Sequence, residues 1–149
     1  MADRRVVLPC QGCGTLNRVP VARLGQGPRC GGCKVELEPG HPLAIASEEA
    51  FQKVVLESDL PVLVDFWAPW CAPCRALAPV LARFASQHAG RLLVAKVNTD
   101  EQQALAGRYR ISGIPTLLLF VGGRPVQQAV GALPPAQLAA LVAPYLPAT

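Results

Sequence analysis

The chain has 149 residues, of which 51% are hydrophobic and 16% charged, with six cysteines and a formal charge of +4. That length suits one ordinary domain or a small domain with a tiny appendix, and a mean hydropathy of +0.29 excludes disorder. No apolar run approaches the ~20 residues of a bilayer span, and MADRRVVLPC holds no apolar signal core, so the expectation is a soluble cytoplasmic protein with no membrane partner.

In a reducing cytoplasm structural disulfides are disfavoured, so cysteines at short regular spacing point to metal or redox work. The charge is uneven. Residues 1–40 hold six Arg/Lys against three Asp/Glu, while residues 41–149 hold eight against seven. Four N-terminal thiolates around one Zn²⁺ would carry a net −2 and leave the first segment near +1. That weakens a nucleic-acid reading, as does the absence of interleaved aromatics in residues 1–40.

Residues 1–38 are rich in Cys, Gly and Arg, with too few large apolar residues for a core of their own. Residues 39–42, within the Glu38–Pro42 Pro/Gly run, read as a linker. Residues 43–149 then carry the pattern of a packed domain. Residues 43–46 predict a short strand, and Ser47 a helix N-cap followed by Glu48 and Glu49 where the helix dipole favours them. Phe51, Val54 and Val55 give that helix one apolar face. Residues 60–67 are nearly all apolar, as in a strand buried on both faces.

A helix is predicted from just after Cys71 to about Gln87, kinked at Pro79 and stopped by Gly90. Residues 91–97 read as a strand and residues 101–110 as a short helix. Residues 116–121 and 125–130 are strands joined across Gly122-Gly123, a strong hairpin signal. Residues 135–146 form the last helix. This order predicts an α/β fold, a mixed central sheet with helices on both faces.

Three Cys-x-x-Cys pairs share one spacing. Cys10-x2-Cys13 and Cys30-x2-Cys33, sixteen residues apart, fit a Cys₄ zinc site, because two knuckles of two sulfurs complete a tetrahedron. Gly12, Gly14, Gly31 and Gly32 are expected to supply positive φ and close backbone N–H groups. Four protein ligands leave no open position, so one structural Zn²⁺ is expected. Tetrathiolate iron and free or redox thiols are the alternatives. His41 and His88 read as surface residues.

Cys71-Ala72-Pro73-Cys74 has no second pair to close a metal shell. It follows a buried strand and opens a helix, whose N-terminal N–H groups favour a thiolate at Cys71. Pro73 falls in the first helical turn, where its missing N–H costs nothing. Asp65 is a lone carboxylate in an apolar strand, so it is either paired structurally or functional, and burial should raise its pKa.

VDFWAPWCAPC (64–74), VAKVNTD (94–100), GIPTLLLF (113–120), the Gly pair at 122–123 and VGAL (130–133) resemble the thioredoxin family, in order across residues 43–147. With the Cys₄ segment, Asn17-Arg18-Val19-Pro20 and Pro69 before Trp70, the chain looks most like the zinc-containing bacterial thioredoxin 2 class. The resemblance implies a thioredoxin fold behind a zinc-ribbon-like segment and a protein-disulfide reductase activity. It implies Cys71 as exposed nucleophile, Cys74 as resolving thiol one helical turn inward, and Asp65 as proton relay, with Lys96 its neighbour or else a solvated cation.

It also implies a cis Ile114-Pro115 bond facing the cysteines, an ordinary trans turn being the alternative. Trp70, Ile114 and Ala132 would rim an apolar docking surface, Gly131 would admit a close backbone, and Trp67 reads as core. Oxidised protein substrates, a thioredoxin reductase as electron donor, no organic cofactor and a monomer complete the expectation. Ala72 stands where the family usually has Gly, and its ~1 kcal/mol of added helix propensity predicts a potential shift of some tens of millivolts, of unassigned sign. The competing function is a redox-sensing or partner-binding zinc ribbon that uses the second domain as scaffold.

Overall fold

The computed structural model describes residues 4–147; the outer ends of the two predicted spans, residues 1–3 and 148–149, lie outside the described residues. A five-stranded sheet forms the centre: β3 (Leu43–Ala44), β4 (Val62–Trp67), β5 (Leu93–Asn98), β6 (Thr116–Val121) and β7 (Arg124–Val130), in the spatial order β3-β5-β4-β6-β7. The first three pair in parallel, whereas β6 and β7 run antiparallel to their neighbours. β4 sits mid-sheet and is buried over its first five residues, which explains its near-continuous apolar sequence.

Side chains alternate across β4. Val62, Val64 and Phe66 join one core with Phe51, Val54, Val55, Phe120 and Leu105, under α1 (Glu48–Phe51) and α3 (Gln103–Arg108). Leu63 joins the opposite core with Leu77, Leu81 and Phe84 of α2 (Ala72–Gln87) and Leu138 and Val142 of α4 (Pro135–Val142). Asp65 is two residues beyond Leu63 and so points to the α2 face.

Local chemistry sets the boundaries. The Ser47 hydroxyl accepts from Ala50 N–H at 3.0 Å, capping α1 as expected. The segment then continues as a π-helical turn, Gln52–Leu56. The predicted helix over 101–110 is the shorter α3, because Asn98 Oδ1 accepts from the N–H groups of Asp100 and Glu101 and holds that stretch as a turn. Gly122 and Gly123 have φ of 60° and 81°, the pair of positive values that a tight hairpin of this twist needs.

The N-terminal module contains β1 (Arg5–Pro9) and β2 (Leu16–Pro20), an antiparallel pair, then a 3-10 turn, Val21–Gln26. Neither strand was expected from the sequence. The module does not stand apart for want of a core. Val6, Leu8, Val19, Leu24 and Leu37 are buried in the same cluster as Phe51 and Val54, so its few apolar side chains complete the core of the larger domain. Arg5 and Asp59 fasten the junction, with Arg5 N–H donating to the Asp59 carboxylate at 2.7 Å and Asp59 N–H to the Arg5 carbonyl at 3.1 Å.

Candidate active site and metal centre

Cys71 and Cys74 form a disulfide at the N-terminus of α2, with Cα atoms 5.2 Å apart. Cys71 is the N-cap, and its sulfur accepts from Cys74 N–H at 3.2 Å. Pro73 occupies the first turn, so the ring costs the helix no hydrogen bond. The expected exposure of Cys71 is not found: it keeps only 5% of its surface and Cys74 2%. The cause is packing, since Ala68, Trp67 and Ile114 close around both sulfurs.

Trp67 differs from the core position expected of it. It is half-buried against this cysteine cluster, and Lys96 Nζ lies 4.4 Å from its ring centroid. Trp70 is 67% exposed, and its indole N–H is shared between the two Asp100 carboxylate oxygens at 3.1 and 3.3 Å. Arg75 Nη1 donates to the Pro69 carbonyl at 2.9 Å and pins the loop before Cys71. Sequence reasoning assigned no role to Asp100 or Arg75, because the first contact spans 30 residues and the second needs the loop geometry.

The Ile114-Pro115 bond is cis. Cys71 Sγ lies 3.8 Å from the Ile114 carbonyl oxygen, which brings this turn against the cysteines. Pro115 is buried, and its carbonyl accepts from Gly131 N–H at 2.8 Å. Gly131 has φ of 104°, a conformation that side chains rarely adopt. Ala132 is exposed beside it.

Asp65 is fully buried, and among the described residues neither of its carboxylate oxygens has a hydrogen-bond partner. Burial pushes its pKa up to about 6, against a smaller opposing pull from Lys96. Lys96 is its partner in register on β5, but no ion pair joins them.

The other four cysteines form one cluster. Their sulfurs all lie within 4.8 Å of one another, with Cys10–Cys33 and Cys13–Cys30 at 3.6 Å. A tetrahedron with Zn–S near 2.3 Å has edges of about 3.8 Å, so the sulfurs fit a Zn²⁺-sized ion. Gly12 and Gly32 N–H groups donate to Cys10 and Cys30 Sγ, both at 3.3 Å. The Cys30 thiol is held down to about 5, chiefly by the backbone N–H of Cys33 and then that of Gly32, against its own burial.

The two knuckles repeat one turn. Gly14 N–H donates to the Cys10 carbonyl and Lys34 N–H to that of Cys30. The positive φ therefore falls at Gly14 (79°) and Lys34 (70°), not at Gly12, Gly31 or Gly32 as expected. Gly32 is needed for space instead, because a Cβ there would stand 2.8 Å from Thr15 Oγ1. His41 is exposed and His88 half-buried, and neither joins the cluster.

Comparison with known proteins gives the same two parts. The Thioredoxin family model matches residues 42–144, and the model for "Thioredoxin 2, N-terminal" matches residues 9–35. Thioredoxin 1 of Nostoc sp. (strain PCC 7120) is 48% identical over 103 residues, 69% of this chain and 96% of that protein. The thioredoxin of Alicyclobacillus acidocaldarius is 52% identical over 96 residues, 64% of this chain and 90% of that protein. Among solved structures, a point-mutant thioredoxin from Halobacterium salinarum superposes with a TM-score of 0.68 at 38% identity, covering 75% of this chain and 96% of that one. A helix-capping Cys-x-x-Cys disulfide on this fold is a disulfide-exchange centre, and the chain belongs to the thioredoxin family, as a protein-disulfide reductase with a thioredoxin 2-type metal-binding N-terminal segment.

Proposed function

We propose that Cys71 is the nucleophile, Cys74 the resolving thiol and Asp65 the group that takes the resolving proton. The observation that supports this reading is the buried, unpartnered carboxylate of Asp65, which strand alternation from Leu63 puts on the face of β4 covered by α2, the helix that the disulfide caps. In the reduced enzyme the Cys71 thiolate attacks one sulfur of a substrate disulfide. The substrate S–S bond breaks, one substrate thiolate leaves, and a mixed disulfide with Cys71 forms. Cys74 gives its proton to the Asp65 carboxylate and attacks Cys71 Sγ. The mixed disulfide breaks as the Cys71–Cys74 disulfide forms, the second substrate thiolate departs, and the two electrons of the dithiol have moved to the substrate.

Lys96 tunes Asp65 through its charge. Trp70, Pro73, Ile114, Pro115, Gly131 and Ala132 form the surface against which a substrate strand docks, a role supported by the position of the Ile114 carbonyl beside Cys71. The preferred ion of the Cys10, Cys13, Cys30 and Cys33 cluster is Zn²⁺, which would supply folding energy and no catalytic step. The division into residues 1–38, 39–42 and 43–149 is supported by the ranges of the two family models. No helix among the described residues is long and apolar enough to cross a membrane, and we assign the enzyme to the cytoplasm, with a thioredoxin reductase returning the electrons.

Insulin-type disulfide reduction tests the roles. Cys71→Ser should abolish turnover, while Cys74→Ser should trap a mixed disulfide visible by mass spectrometry. Turnover surviving Cys71→Ser would overturn the mechanism.

A further inference from the structure

The N-terminal module carries a feature that disulfide exchange does not use. β2, the following 3-10 turn and the second knuckle enclose an open groove of about 440 Å³. Arg18, Arg23 and Arg29 line it, one from each of these segments or its approach, and no Asp or Glu lines it. All three are exposed, and among the described residues the one salt bridge joins Arg108 to Glu48 elsewhere. Among the described residues none of the three guanidinium groups has a carboxylate within salt-bridge distance, although Glu36 stands across from Arg29 in an antiparallel bridge and Glu49 lines a neighbouring cavity with Arg18.

The groove is built on a fixed frame. Asn17, buried at its wall, accepts from Gly31 N–H at 2.9 Å and donates to the carbonyls of Thr15 and Leu8 at 3.1 and 3.4 Å. Arg29 Nη1 donates to the Lys34 carbonyl at 3.1 Å, which orients one fork. A thiolate cluster of net −2 offsets part of this charge through space. Among the described residues, however, the backbone N–H donors to its sulfurs come from Gly12, Gly32 and Cys33 and none from arginine, so the forks keep donors free for a ligand. Three like charges around one concavity repel unless an anion sits among them, and an arginine fork matches a carboxylate in two parallel hydrogen bonds.

We propose that this groove binds an acidic, carboxylate-rich segment of a protein and so recruits acidic disulfide-bearing substrates. The recruitment clause rests on the reductase activity; the binding clause does not. Residues 4–40 contain no Phe, Trp or Tyr on which a base could stack, so a single-stranded nucleic acid finds only its phosphates matched.

Fluorescence anisotropy with the full-length, metal-loaded protein tests it, using a labelled cysteine-free poly-glutamate peptide against poly-glutamine. Saturable binding of poly-glutamate alone is expected, weakening as salt is raised. The R18Q/R23Q/R29Q variant should bind about tenfold or more weakly, with turnover of a small-molecule disulfide unchanged. Metal content is read on each sample. Should the triple variant release metal, Arg23→Gln, on the 3-10 turn rather than a knuckle, carries the test and should bind several-fold more weakly.

Equal affinity in parent and variants overturns the groove, as does no binding by the parent. Inorganic phosphate or duplex DNA competing more strongly than free poly-glutamate overturns the acidic-protein ligand. For recruitment, a disulfide substrate with an acidic tail should show a several-fold lower KM than one with a neutral tail, in the parent and not in the variant. Failure of the parent to turn over any disulfide would overturn the reductase reading and leave the anisotropy result standing.

Discussion

Asp65 and Lys96 face each other in register on adjacent parallel strands, yet they form no ion pair, and the Lys96 ammonium instead lies over the Trp67 ring. The carboxylate is thus left buried without a neutralising contact. Such a charge is costly in the folded state and cheap in the unfolded one.

The pH dependence follows with a definite sign. The folded pKa of about 6 lies above the ordinary 3.8. Below about pH 4 both states hold the proton and Asp65 has no effect on stability. Between about pH 4 and 6 the unfolded chain ionises first, so stability falls as pH rises, and the loss is complete above the folded pKa. Asp65→Asn should raise the stability of the oxidised protein by about 2–3 kcal/mol at pH 7.5 and by little at pH 4. Urea unfolding at both pH values measures it; a variant less stable than the parent at pH 7.5 would contradict the burial argument.

Lys96 opposes that shift, so Lys96→Met should push the Asp65 pKa above about 6. The pH window over which stability falls moves upward with it. Infrared or NMR titration of the Asp65 carboxyl reads the change directly. An unchanged or lower value would show that the Lys96 charge does not reach Asp65.

The N-terminal module shares its core with the larger domain, so loss of the metal should not be confined to the module. Leu8 and Leu24 pack in the same cluster as Phe51 and Val54. Cys30→Ser should abolish a stoichiometry near one Zn per chain and lower the midpoint of a single cooperative unfolding transition. Elemental analysis and calorimetry check both. A metal-free parent that is fully folded would remove zinc from the account.

Two glycines should respond oppositely to alanine. At Gly123 φ is 81° and a Cβ would stand 2.7 Å from the Leu56 backbone carbonyl oxygen, so Gly123→Ala should cost about 2 kcal/mol or more. At Gly107, inside α3, a Cβ meets nothing within 4 Å, and Gly107→Ala should gain up to about 1 kcal/mol. Thermal unfolding of the two single variants distinguishes them.

Much of the sheet and of the chemistry is legible in the order of residues. Period and punctuation locate β4, α2, β6 and the Gly122-Gly123 hairpin, and the setting of Cys71 and Cys74 separates them from the four knuckle cysteines. These signals are local, carried by residues within a few positions of one another. Other features exist only once the chain is folded. β1 and β2 were illegible because their apolar side chains are too few to form a core and gain their burial from Phe51 and Val54 across the junction. The burial of Cys71, the placement of Trp67 beside it, the hold of Asp100 on Trp70 and the positive φ at Lys34 all depend on contacts or turns that no spacing records. Spacing brings two thiols together, whereas the field around them is made by groups that only the folded chain brings near.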